Sequence, residues 1–213
     1  MRKSILILTT LFAVSAFGAE SPIDRWARAA GGLDKIAAIK SISREGTLDV
    51  GAFSGTIKVR HTPDGRYRKE EQVAMFSSIE TCDGTDVTVQ KNGAAPQKLT
   101  GDELSLERSK AFANSNAMFF VFFPKTHRGA VSTEGDNTIV FTPEGGVEWR
   151  IVLDPQTSLP ATMSHKEGER TITVNFTAYE TVDGVTLEKE IRRTADQGPG
   201  AVIRFSKTTI EKR

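Results

Sequence analysis

Short segments in which apolar and polar residues alternate fill most of this sequence from residue 42 onward. In residues 170–178, for example, Ile172, Val174 and Phe176 alternate with threonine and asparagine. A period of two gives a strand one apolar and one wetter face, which is typical of an antiparallel sheet. Asp-Gly and Asn-Gly pairs, which tolerate the positive φ angles of tight hairpins, separate many of these segments. They stand at 64–65, 83–84, 92–93 and 183–184.

The pattern predicts about eleven or twelve strands, with edges uncertain by a few residues. The segments are 42–50, 52–61, 66–74, 76–82, 85–91, 129–134, 137–142, 147–153, 161–167, 170–178, 185–193 and 201–210. Two helical regions interrupt them, at 22–39 and 102–123. The first begins after Ser21, a residue suited to the N-cap, and Gly31-Gly32 breaks it. Since no low-complexity linker or strong repeat divides the chain, we expect one domain over residues 20–213.

The first nineteen residues have the pattern of a secretory signal peptide. Arg2 and Lys3 precede an apolar run from Ile5 to Phe17, and small residues follow, so cleavage is expected after Gly18 or Ala19. The run is short for a bilayer span. We therefore expect an exported protein with no transmembrane segment after cleavage.

The charge of the chain limits the partners to expect, and its cysteine content limits how the fold can be stabilised. The chain has 28 Lys+Arg against 27 Asp+Glu, and loss of Arg2 and Lys3 leaves 26 against 27, a net charge of −1. This balance gives no reason to expect nucleic acid as a partner. Cys82 is the only cysteine, so an internal disulfide is excluded and the fold must rest on packing.

The most apolar stretch after the leader is "NAMFFVFFP", residues 116–124. The sequence Thr100-Gly101-Asp102-Glu103 has the form of a capping box that begins a helix. On a helix that runs from there to Phe123, one arc collects seven apolar residues: Leu104, Ala111, Phe112, Met118, Phe119, Phe122 and Phe123. A buried strand is the alternative, because short aromatic runs are ambiguous.

No grouping of residues indicates catalysis or a metal site. His61, His127 and His165 are far apart, and the first two lie beside turn or proline signals, which suggests the surface. His165 shares parity with Met163 and is expected to face inward. Metal-ligand spacing, phosphate loops and nucleophile motifs are missing from the sequence. We therefore expect no enzyme, no catalytic residue, no cofactor and no bound metal.

Arg44 has an unusual position for a charged residue. It shares a strand face with Ile42, Leu48 and Val50. The favoured interpretation is an arginine that extends to solvent at the rim of the sheet. The alternative is a guanidinium placed to meet an anionic head group of a ligand.

Three segments resemble the LolA/LolB-like periplasmic lipoprotein-carrier superfamily, which includes proteins described as outer-membrane lipoprotein-sorting proteins. They are "ARAAGGLDKIAAIKSISREGTL" (27–48), "WRIVLDPQTSLPATMSHKE" (149–167) and "FTAYETVDGVTLEKEIRR" (176–193). The resemblance extends over most of the chain after the leader. The matching residues are signatures of turns and strand starts. The lipobox cysteine of the membrane-anchored homologue is missing, so a soluble carrier is the nearer relative.

The resemblance implies an α+β fold of mainly β structure. Its strongly curved antiparallel sheet forms an incomplete β-barrel, or half-barrel, whose concave side is covered by helices around an apolar cavity for acyl chains. The helical arc and strand parity then predict the lining: Leu104, Phe112, Met118, Phe119, Phe122, Phe123, Phe141, Trp149, Ile151, Met163 and Phe176. Arg44 is the candidate head-group contact.

Two functions follow from this resemblance. The first is a periplasmic carrier for lipid, or for the acyl chains of a lipoprotein, in lipoprotein sorting to the outer membrane. The second is an envelope sensor that binds a protein partner with the same fold. The phenylalanine cluster is then a movable lid, a permanent core, or, third, a membrane contact.

Overall fold

The computed structural model describes residues 20–195 and 200–213. The predicted signal peptide, residues 1–19, lies outside the described residues. Across the described ranges the chain forms thirteen strands and four α-helices, together with a short 3-10 helix.

All thirteen strands belong to one antiparallel sheet. Their order across the sheet is β6-β5-β4-β3-β2-β1-β13-β12-β11-β10-β9-β8-β7. The strands are β1 Ile39–Val50, β2 Phe53–His61, β3 Tyr67–Val73, β4 Phe76–Cys82, β5 Val87–Lys91, β6 Gln97–Lys98, β7 Gly129–Glu134, β8 Thr138–Pro143, β9 Trp149–Leu153, β10 Pro160–Glu167, β11 Arg170–Val182, β12 Val185–Ala195 and β13 Ala201–Lys212.

The sheet does not close on itself, because β6 and β7 stand at its two ends and do not pair with each other. The prediction of a mainly β fold, with an incomplete barrel of antiparallel strands and helices on its concave side, is confirmed. The prediction of about eleven or twelve strands omitted β6, because its two residues are too few to show any alternation.

The first two helices precede the sheet. Helix α1, Pro22–Ala29, begins as the sequence predicted, since the Ser21 hydroxyl oxygen accepts a hydrogen bond of 3.1 Å from the backbone N–H of Asp24. Helix α2, Leu33–Ala37, follows the Gly31-Gly32 break. Both glycines have positive φ angles of 114° and 96°, which explains why glycine occupies the turn.

The helical insertion between β6 and β7 is broken, so the prediction of one continuous helix over 102–123 is wrong. Helix α3 covers Gly101–Lys110, a 3-10 turn covers Asn114–Asn116, and helix α4 covers Ala117–Phe122. Asn114 has a φ of +51°, which no α-helix accommodates. The expected capping box is also absent, because the Thr100 side chain makes no capping hydrogen bond.

The break allows α4 to be buried while α3 stays nearer the surface. All six residues of α4 are buried, and they join the hydrophobic cluster on the concave face of the sheet. Phe122 packs edge-on against Trp26 of α1, with ring centroids 4.7 Å apart, and Phe120 packs against Phe141 of β8 at 5.4 Å. Of the helices described, none has the length and apolar character needed to cross a bilayer.

The turn between α1 and α2 provides a test of this packing. A Cβ atom at Gly31 would lie 2.1 Å from the carbonyl oxygen of Gly184, whereas one at Gly32 would meet no atom within 4 Å. Gly32→Ala should lower the free energy of unfolding by roughly 1–3 kcal/mol through its positive φ alone. Gly31→Ala should lower it by clearly more, because backbone must also move. Urea unfolding of both variants checks this, and equal losses would contradict the packing.

Candidate functional site

A cavity of about 220 Å³ lies between the concave face of the sheet and the helical insertion. Its roof is formed by Glu107, Lys110 and Ala111 at the end of α3, and by residues 113–116 that follow. Its floor is formed by inward-facing residues of the strands. The apolar ones are Ile57, Val59, Trp149, Met163, Val174, Ile203 and Phe205.

Three of the residues that the sequence singled out line this cavity: Arg44, Trp149 and Met163. Six others lie in the hydrophobic cluster outside the lining and are buried: Met118, Phe119, Phe122, Phe141, Ile151 and Phe176. Phe112 and Phe123 are partly buried against that cluster, and Leu104 is half-buried on α3. The structure therefore divides the predicted set between the cavity lining and the hydrophobic cluster, with Leu104 outside both, and contact of these residues with a ligand stays a prediction.

Arg44 lies on the floor of the cavity, with only 1% of its side chain exposed. The interpretation that it extends to solvent at the rim is therefore wrong. Its Nη1 donates to the Ser115 hydroxyl at 2.8 Å and lies 3.4 Å from a carboxylate oxygen of Glu188 on β12. The guanidinium also stacks over the Phe205 ring at 3.6 Å. These contacts hold a charged group where the strand pattern alone would place an apolar one.

Burial lowers the pKa of Arg44 to about 10, against the opposing effect of the charges of Glu188 and Glu180. The residue therefore stays a cation at neutral pH. Since Glu188 is itself buried, the two form an ion pair largely removed from water. Such pairs fix a geometry more than they stabilise a fold, because desolvation offsets most of the attraction.

The three histidines have different environments. His61 is buried at the end of β2, so its predicted surface position is wrong, and His127 is half-buried against Phe112 and Phe120. His165 faces inward as predicted, with its ring centroid 3.9 Å from that of Trp149. Within the described ranges, no three His, Cys, Asp or Glu side chains are placed to hold a metal ion.

Cys82 is buried at the end of β4, and burial raises the pKa of its thiol. The thiolate is therefore disfavoured at neutral pH. Cys82 therefore acts as a buried packing residue of the strand.

Charged side chains connect the roof to the strands. Lys110 of α3 lies 2.8 Å from Glu107 on the same helix and 3.1 Å from Glu167 of β10. Burial, and next the neighbouring charge of Glu80 on β4, raise the pKa of Glu107. The α3 end of the roof is therefore held by polar contacts, in contrast to the apolar packing of α4.

Apart from Arg44 and the inward-facing His165, the sequence did not identify the polar part of this site. His61, Lys69 and Glu80 line the cavity together with the roof residues Asn114, Ser115 and Asn116. The alternation in β2 could have identified His61 as inward-facing, because His61 shares one face of the strand with Ile57 and Val59. The roof residues lie in an irregular segment, where no periodicity indicates the direction of a side chain.

The described chain is similar to several solved structures, one of which belongs to the LolA superfamily. A LolA superfamily protein from Nitrosomonas europaea superposes with a TM-score of 0.57 at 11% identity, over 90% of this chain and 93% of that one. A domain assigned to outer membrane lipoprotein-sorting proteins, from Vibrio parahaemolyticus, gives 0.53 at 9% identity, over 89% and 93%. A DUF1329 family protein from Desulfovibrio piger gives 0.51 at 13%, over 89% and 92%.

These likenesses confirm the predicted resemblance at the level of the fold. The chain has a LolA-like fold, in which a curved open sheet is covered by helices. No protein-family model matches the sequence, and a search of curated proteins finds no match.

The buried ion pair leads to a prediction about stability. Glu188→Gln leaves Arg44 charged and buried without its partner, which should cost about 3–5 kcal/mol of unfolding free energy. Arg44→Met combined with Glu188→Gln should cost less than the sum of the two single changes. Chemical denaturation of the three variants measures the coupling. As a control, Arg28→Met at the exposed Arg28–Glu20 pair should change stability little, and additive effects at Arg44 and Glu188 would contradict the pairing.

His61 leads to a prediction about pH. Burial, and then the charge of Arg44, lower the pKa of His61 from 6.5 to about 3. The unfolded chain therefore takes up a proton on His61 as the pH falls below 6.5, while the folded chain does so only near pH 3. The stability contributed by neutral His61 is present above pH 6.5 and is lost progressively between these values.

The measurement is the free energy of unfolding at pH 7 and at pH 5. His61→Gln should lose less stability between the two than the unchanged protein does. Parallel losses in both proteins would show that His61 titrates normally in the fold.

Proposed function

We propose that this protein binds the acyl chain of a lipid or lipoprotein between its sheet and its helical insertion. The observation that carries the proposal is the cavity beneath residues 113–116, which lead directly into the buried helix α4 within the segment that joins the two free edges of the sheet. The proposal assigns the protein a binding role and no chemical step. The likeness to LolA superfamily structures supports it through the shared fold alone.

The cavity volume decides how a chain would fit. The present 220 Å³ is smaller than the roughly 300–1,000 Å³ typical of pockets for drug-sized ligands. A long acyl chain therefore needs space that α4 now fills. Phe119 and Phe122 are the candidates to leave, because both are buried in the cluster beside the cavity.

The free energy needed to expose the two rings is comparable with the free energy gained by burying an acyl chain in their place. Exposing two large apolar side chains costs about 3–6 kcal/mol, and each buried CH₂ of a chain returns about 0.8 kcal/mol. About four to eight methylene groups thus offset the loss of both rings. Short chains are expected to leave the lid closed, and long chains to open it.

The cellular setting belongs to the same proposal. The predicted signal peptide favours the periplasm, and a periplasmic protein that binds acyl chains is suited to move lipid or lipoprotein toward the outer membrane. Mass spectrometry of ligands released from the natively purified protein tests this. Release of lipid or acylated peptide supports the carrier. A stably co-purifying protein with no acyl ligand favours the alternative, an envelope sensor.

If the rings of Phe119 and Phe122 act as a lid, their removal should lower stability without weakening ligand binding. Phe119→Ala and Phe122→Ala should each lower the free energy of unfolding by about 3–5 kcal/mol. Affinity for a fluorescent long-chain acyl probe should hold or rise, because the rings no longer compete with the chain. Denaturant unfolding and probe titration measure the two quantities.

The control is Ile36→Ala on α2, which also removes a fully buried side chain but lies outside the insertion. It should lower stability and leave the probe affinity unchanged. If no probe binds to any of these proteins, the rings are permanent core and the carrier proposal fails.

A further inference from the structure

Six side chains of the cavity lining carry a buried polar atom that has no hydrogen-bond partner in the protein. Within the described residues seven such atoms occur, and only Arg25 Nε lies elsewhere. Five of the six residues are more than nine-tenths buried. The six atoms are Arg44 Nη2, His61 Nε2, Asn114 Oδ1, Asn116 Oδ1, Trp149 Nε1 and His165 Nδ1.

This concentration points to a polar ligand group. A buried polar atom without a partner costs about 1–3 kcal/mol, and native proteins leave few of them. Here they collect around one space instead of being scattered through the core. An acyl chain in that space would leave each atom unsatisfied, since hydrocarbon neither donates nor accepts hydrogen bonds. The wall is therefore suited to a head group, and the adjoining rings of α4 to a chain.

The donors and acceptors can be assigned for four of these atoms. Arg44 Nη2 and Trp149 Nε1 bear hydrogen and have no lone pair that can accept a hydrogen bond, so both act only as donors. His165 Nε2 lies 3.1 Å from a carboxylate oxygen of Glu167 and must donate to it, which makes Nδ1 of the neutral ring an acceptor. Asn116 Nδ2 donates to the carbonyl oxygen of Ala111, which leaves its Oδ1 as an acceptor.

The charges around the cavity are already paired within the protein. Arg44 faces Glu188 at 3.4 Å, and Lys69 faces Glu80 at 3.0 Å. Lys110 lies between Glu107 and Glu167, and Arg193 lies 3.5 Å from Glu167. An added anion would compete with these carboxylates, and an added cation would compete with the basic groups.

We infer that the cavity binds the uncharged, hydroxyl-bearing head of an amphiphile, a polyol such as glycerol or a single sugar. This inference rests on the proposed function, because the chain of the same molecule occupies the space of the α4 rings. A hydroxyl both donates and accepts, so several hydroxyls satisfy the mixed wall. A carboxylate only accepts and would face the acceptors His165 Nδ1 and Asn116 Oδ1. The 220 Å³ equals roughly seven water molecules, at about 30 Å³ each, which suits so small a head.

The test compares ligands that have different head groups on the same kind of acyl or alkyl chain. Glycerol monolaurate, lauryl glucoside, methyl laurate and laurate carry the same or nearly the same chain, and their affinities for the purified full-length protein are measured by displacement of a fluorescent acyl probe. At least one polyol head should bind about tenfold more tightly than methyl laurate, a factor that two or three net hydrogen bonds supply. Laurate should gain no such advantage. The tighter of the two polyols identifies the head as glycerol or sugar.

Two variants locate the head. Trp149→Phe removes the indole donor and keeps the ring, and His165→Phe removes the acceptor Nδ1 and keeps an aromatic ring against Trp149. Each should reduce the preference for the polyol over methyl laurate several-fold. Trp26→Phe is the matched control, because Trp26 lies in the cluster against Phe122 and outside the cavity lining. It should leave the preference unchanged.

A spectroscopic measurement reads the contact directly. The chain has two tryptophans, so a nitrogen-15 correlation spectrum shows two indole N–H signals, and Trp149→Phe assigns them. The Trp149 signal should move downfield with the polyol ligand and not with methyl laurate.

The outcomes separate this inference from the proposed function. Equal affinity for all heads, or a preference for laurate, overturns the polyol head and leaves the acyl carrier standing. Failure of every chain-bearing probe to bind overturns both. A polyol preference that Trp149→Phe and His165→Phe leave unchanged overturns this cavity as the place where the head binds.

Discussion

The apolar face of the open sheet has to be covered, and the rest of the structure depends on how this is done. The two free edges, β6 and β7, are joined by a single stretch of chain, so residues 99–128 must pass from one edge to the other. That stretch supplies α3, the 3-10 turn and α4. The segment that connects the two edges is therefore also the cover of the sheet, and the cavity lies beneath it.

The cover has two parts with different physical chemistry. Helix α4 is held by buried aromatic rings, whose contribution scales with the apolar area removed from water. The end of α3 is held by Lys110 and Glu107 with their partners on the strands, and such contacts weaken with salt and with changes in protonation. The polar end can thus loosen under conditions that leave the aromatic end packed. A ligand with a polar head and an apolar chain has the same two parts, with the head matching the polar end of α3 and the chain matching the aromatic α4.

The sequence predicted the sheet well because alternation is a local property. It placed Trp149, Ile151 and Met163 on the inner face, and the structure buries all three. It failed at residues 111–116, where α3 has ended and Asn114 has a positive φ angle, although the apolar spacing of the sequence continues. It also failed at Arg44, whose burial depends on Glu188, a residue 144 positions away. Long-range pairs of this kind leave no periodic signal in a single sequence.

The position of the last strand bears on how the chain is assembled. Strand β13 lies between β1 and β12, so the first half of the sheet is bonded to the second half through residues 201–212. Without residues 201–212, β1 presents an unpaired edge, which is prone to join other chains. Pairing over so long a sequence separation is slow, so β1 waits for its partner while the chain folds. The solubility of the folding chain therefore depends on how soon β13 reaches β1.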